Sequence, residues 1–110
     1  MLKCGAAYVV TFSLLFAGIA NAKDSPFSVY AVTGLSCGKY IQDIARDPMK
    51  EIVYHWWVDG FLTGTNMEKG RVTSSDSAAH DAWLKKYCQE NPLDHFINAA
   101  SKLNKELDRQ

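Results

Sequence analysis

Apolar positions recur along this chain at three- and four-residue steps, and no segment sustains the two-residue alternation of a half-buried strand. Four helices are predicted. Ser36 is placed to cap a short first helix over 37–46, with Tyr40, Ile41 and Ile44 on its apolar face. Asp47-Pro48 opens a second, because Asp caps well and Pro fits the first helical position. Along it Met49, Ile52, Val53, Trp56, Trp57, Gly60, Phe61 and Gly64 keep the helical spacing, and Gly64 and Asn66 are expected to end it. The polar stretch TNMEKGRVTSS, 65–75, reads as a loop. Ser74 or Ser75 then caps a third helix over 76–90, with Ala79, Ala82, Trp83, Tyr87 and Cys88 inward. Asn91-Pro92 is expected to start the fourth, Asp94 completing a pair like a capping box. Its buried stripe is Leu93, Phe96, Ile97, Ala100, Leu103 and Leu107. The fold class is all-α, a small four-helix bundle over 36–110.

The residues before the bundle change what that bundle must withstand. Lys3 is followed by an apolar run from Ala6 to Ile19 and by Ala20-Asn21-Ala22, the layout of a cleaved signal peptide over 1–22. The run is shorter than the roughly 20 residues a membrane span needs, so export rather than anchoring is expected. Residues 23–35 read as an extended or loose arm whose Phe27, Val29, Tyr30 and Val32 can lie against the body. Removing 22 of 110 residues leaves 88, one small domain that benefits from a covalent staple. Cys4 leaves with the signal. Cys37 and Cys88 remain, and in an oxidising compartment the single available pairing is a disulfide between them. Closing a loop of about 50 residues is worth about 4 kcal/mol in the chain-entropy account.

Charge and candidate chemistry narrow the function by exclusion. Without Lys3 the chain has 12 − 1 = 11 Lys and Arg against 12 Asp and Glu, with no basic stripe, so nucleic acid is not an expected partner. His55, His80 and His95 lack metal-binding spacing and read as solvated helix-surface groups. Asp43, Asp47 and Glu51 sit near the first helix junction, where capping already accounts for Asp47. No catalytic residue, metal site or cofactor is assigned. Trp56 and Trp57 carry more information. They lie about 100° apart around a helix, so one is expected in the core and the other at a groove or interface, unless the bundle wraps both. Gly60 and Gly64 permit another helix to approach closely, more often from within the chain than from a second copy.

The stretches SCGKYI, YHWWVDGF and AWLKKYCQENP together resemble the HdeA/HdeB periplasmic acid-stress chaperones over roughly 36–100, at Cys37, Trp56, Trp57, Tyr87, Cys88, Asn91 and Pro92. The resemblance implies a helical periplasmic protein with one disulfide, dimeric near neutral pH. In acid it loosens and holds unfolding clients on apolar surface. Trp56, Trp57 and Phe61 would then form the client or dimer surface. The WVDGFLTG run and the Tyr-Cys-x-x-Asn-Pro step are also similar to Tai-type periplasmic immunity proteins. That resemblance implies instead one specific protein partner, a toxin that the protein binds and blocks; an entry-exclusion factor that blocks a transfer component is the related alternative.

Overall fold

The computed structural model describes residues 34–110; the expected signal segment and residues 23–33 of the expected arm lie outside that range. Four helices follow in order: α1 (Cys37–Arg46), α2 (Pro48–Lys69), α3 (Ser77–Glu90) and α4 (Phe96–Leu107). Among the described residues there is no strand, only an isolated antiparallel bridge between Ser36 and His95. The all-α class read from the periodicity is the observed one.

The first two helix starts follow the sequence signals. The Ser36 side chain accepts from the Lys39 amide, and the Asp47 side chain accepts from the Met49 amide, one residue after Pro48. Three boundaries differ. The second helix does not stop at Gly64 or Asn66 but runs to Lys69, ending at Gly70 in the left-handed region, φ 61°. The third is capped by Asp76, which accepts from the Ala79 amide at 2.9 Å, because the Ser75 hydroxyl is engaged with His80 instead. The fourth begins at Phe96 rather than at Asn91-Pro92.

That last difference has a direct cause. The Asp94 carbonyl accepts from the Cys37 amide at 2.7 Å, and the Pro92 carbonyl from the Gly38 amide at 2.9 Å. Both amides belong to the first turn of α1, where no intrahelical acceptor exists. The 91–95 turn is thus committed to capping α1 and leaves Leu93, expected in the buried stripe, 96% exposed. A β-carbon at Gly38 would lie 3.2 Å from the Pro92 carbonyl oxygen, so the close approach favours glycine there. At the same corner Cys37 and Cys88 form the expected disulfide, their Cα atoms 4.7 Å apart.

The core is built on three aromatic rings from three helices. Tyr40, Tyr54 and Phe96 have centroids 4.7 to 5.0 Å apart, edge-on or tilted. Val58, Leu62, Leu84, Ala99, Leu103 and Leu107 extend it, with the disulfide at one end. Leu35 also packs against this cluster, and its carbonyl accepts from the Phe96 amide. No described helix is long and apolar enough to cross a membrane.

Candidate functional site

The two adjacent tryptophans point to different surroundings. Trp57 is half-buried against the core, stacked on Phe61 at 5.6 Å and tilted toward Phe96 at 6.1 Å. Phe61 is likewise half-buried. Trp56 is 70% exposed and belongs to a different surface. On the outer face of α2 the exposed positions between 52 and 67 are Ile52, Val53, Trp56, Gly60, Thr63, Gly64 and Met67. None is charged. An outward helix face usually carries the charged and polar residues, so about four turns whose exposed positions include no charged residue are unusual for such a face. Gly60 and Gly64 lie on this face, and beyond their own stretch of helix no atom of the described residues comes within 4 Å of where a β-carbon would sit. They do not serve the internal helix packing that their spacing suggested.

A shallow pocket flanks Trp56, lined by Pro48, Glu51, Ile52, His55, Trp56 and Asp81, with a volume of about 380 Å³. Its polar wall belongs to a hydrogen-bonded seam between α2 and α3. His55 Nδ1 lies 2.6 Å from Asp81, its Nε2 lies 3.3 Å from Asp59, and Lys85 donates to Glu51 at 2.5 Å. Ser77 donates to Asp59. His55 is therefore not a free surface group, and His80 is buried, Nε2 against the Ser75 hydroxyl and Nδ1 with no hydrogen-bond partner among the described residues. Of the three histidines read as solvated, only His95 stands exposed. Among the described residues no cluster of His, Cys, Asp or Glu is gathered to hold a metal ion.

The other seams also run through carboxylates. Asp43, Asp47 and Glu51 do not cluster: Asp47 caps α2 and Glu51 faces α3. Asp43 is buried and joins α1 to α2, accepting from Lys39, from the Tyr54 hydroxyl at 2.9 Å and from Lys50 at 3.3 Å. The Lys39 ammonium, with Tyr54 and Lys50 behind it, holds the Asp43 carboxyl down to about 2 against the opposing effect of burial. Burial, together with this carboxylate, pushes the Tyr54 hydroxyl well above the usual tyrosine value. Asp94 ties the end of α3 to α4, accepting from the Tyr87 hydroxyl, Asn98, the His95 amide and Lys102. The Tyr87 hydrogen bond leads in holding its carboxyl far below the usual range. Asp108 pairs with Lys69 and Arg71, which lower its carboxyl too.

Arg71 was not singled out by sequence. It donates to Asn66, Thr65, the Asn104 carbonyl and side chain, and Asp108. One planar guanidinium thereby locks the last turn of α2 to the last turn of α4. Its partners lie up to 37 residues away, so no local pattern announces it.

Compared with known proteins, the chain matches no family model, no curated protein and no solved structure.

Proposed function

We propose that the protein is a periplasmic holdase of the HdeA/HdeB kind, exported by its N-terminal signal and active in acid. The observation that carries this reading is the distribution of carboxylates: Asp43, Glu51 with Asp81, Asp94 and Asp108 close four different helix contacts. Protonating them removes the ion pairs while the core aromatics behind, Tyr40, Tyr54, Trp57 and Phe61, become available to unfolding clients. The Cys37–Cys88 bond keeps the loosened chain compact. The test is aggregation of an acid-labile client at pH 7 and at pH 2–3 with the oxidised protein present. Suppression confined to acid supports the reading.

A second reading is favoured by one observation, the uncharged face of α2 that is already exposed in the folded chain. It suits a specific binder such as an immunity or exclusion factor, with one partner and little dependence on pH. An absence of suppression at either pH, with one tight partner recovered from the envelope at pH 7, would replace the holdase by this binder.

A further inference from the structure

The seam between α2 and α3 is a ladder of three rungs. Glu51 is hydrogen-bonded to Lys85, His55 to Asp81, and Asp59 to Ser77. Each step moves four residues along one helix and four back along the other, so the rungs lie about one helical turn apart. Three carboxylates stand there against one lysine and one histidine, so the seam is negative whether or not His55 is protonated. Their field reaches the core: burial first, then Asp81 and Glu51, push the Tyr40 hydroxyl well above the usual tyrosine value.

The pocket of about 380 Å³ opens on the first two rungs. Half of its lining is apolar: Pro48, Ile52 and Trp56, whose side chain stands 70% exposed. The other half is Glu51, His55 and Asp81. Within the ladder Glu51 uses only Oε1, toward Lys85, and Asp81 only Oδ2, toward His55. Glu51 Oε2 and Asp81 Oδ1 accept no hydrogen bond among the described residues. An indole face attracts cations through its quadrupole, more strongly than the other aromatic rings. The free carboxylate oxygens accept hydrogen bonds and cannot donate them. Ring and oxygens therefore select a ligand that is cationic and carries N–H donors. The apolar lining adds a carbon chain beside the charge, as ligand pockets of this size combine a mostly apolar wall with a few polar groups. A bare metal ion does not suit the place, since no cluster of His, Cys, Asp or Glu among the described residues is gathered to hold one.

We propose that this pocket binds an alkylammonium ion, its charge between the Trp56 ring and the free oxygens of Glu51 and Asp81, its carbon chain on Pro48 and Ile52. The site stands apart from both functional readings and holds whether the protein is a holdase or a specific binder. Lys85 has a defined place in it. Its ammonium already occupies one oxygen of Glu51, so it is a built-in competitor for the ligand's charge. Removing that competitor strengthens binding, whereas removing the ring or a carboxylate weakens it.

The test is an amide-resolved NMR titration of the oxidised protein at pH 7 and low salt. Diaminobutane and an N-acetyl-lysine amide are the two ammonium probes, one a free amine and the other the side chain of a protein. Butanediol, of the same length without charge, and magnesium ion are the controls. The expected result is saturable binding of at least one ammonium probe, with shifts confined to the pocket residues and weak or no response to either control. The probe that binds more tightly tells which source of ammonium the site suits. Trp56→Leu and Asp81→Asn should each weaken binding by about fivefold. Lys85→Gln should tighten it, a gain that a damaged fold cannot produce. No saturation with either ammonium probe overturns the proposal, and so does butanediol or magnesium binding as tightly as they do. Binding that Trp56→Leu and Asp81→Asn leave unchanged, or that Lys85→Gln fails to tighten, overturns it too, because the charge then sits elsewhere.

Discussion

Adding one methyl group at two helix glycines is expected to change stability in opposite directions. At Gly38 the new carbon meets the Pro92 carbonyl oxygen at 3.2 Å, in a corner fixed by the neighbouring disulfide and by the hydrogen bond from the Gly38 amide to that carbonyl. Gly38→Ala should cost about 1–3 kcal/mol, as overpacking does. At Gly60 the same carbon meets nothing, and alanine removes the entropic disadvantage of glycine inside a helix. Gly60→Ala should therefore stabilise the single chain by about 0.5–1 kcal/mol. Urea unfolding at concentrations low enough to keep the chains apart measures both. Equal signs would mean that the corner relaxes or that Gly60 is packed. In the sequence the two glycines look alike, each a helix interruption. The difference arises from what lies opposite, and for Gly38 that is a residue 54 positions away. The cysteine pairing was legible because only one was available; the tryptophans were not, because the 100° between them allowed a split but did not exclude a bundle that wraps both or tell which of the two points outward.

At the scale of elements, helix existence and order were legible in the periodicity, and the ends were not. The second helix passes through Gly64 and Asn66, both plausible stops, because its last turn is held from outside. The Thr65 hydroxyl lies 3.1 Å from the Asn104 side-chain oxygen on α4, and Arg71 gathers Asn66, Asn104 and Asp108 around one guanidinium. Local propensity penalises a mid-helix glycine by about 1 kcal/mol, less than several charge-assisted hydrogen bonds return. Arg71→Ala should therefore lower stability by about 2–3 kcal/mol and fray 65–70, read as faster amide exchange confined first to that turn. Arg71→Lys should recover little, since an ammonium cannot reach three acceptors in a planar fork. Full recovery by lysine would reduce the role of Arg71 to its charge. The fourth helix starts late for a related reason, since the carbonyls of the 91–95 turn serve α1. That use of a turn by a distant helix terminus leaves no mark on the turn's own residues.

The whole molecule couples these seams to pH. Asp43, Asp94 and Asp108 all have carboxyls held below the ordinary aspartate value by hydrogen bonds and ion pairs made only in the fold. A group whose folded value is lowered contributes stability that is complete above its unfolded value, about 4, and disappears as the pH falls through the folded value. For Asp43 that folded value is about 2, so its contribution is lost between about pH 4 and pH 2. Asp43→Asn should therefore be less stable than the parent at pH 7, equal to it below pH 2, and shallower in between. Thermal melts from pH 7 down to pH 1.5 read all three features. A parallel offset at every pH would show that Asp43 acts by shape rather than charge. Reduction of the Cys37–Cys88 bond shifts the same curve downward at all pH values, by about 4 kcal/mol for a loop of 51 residues. Because the remaining stability is then small, the reduced chain should lose its near-ultraviolet signal at a higher pH than the oxidised one. If both lose it at the same pH, the corner at Cys37 and Cys88 is holding nothing that the acid transition releases. The staple would then lie outside the part of the bundle that the carboxylates control.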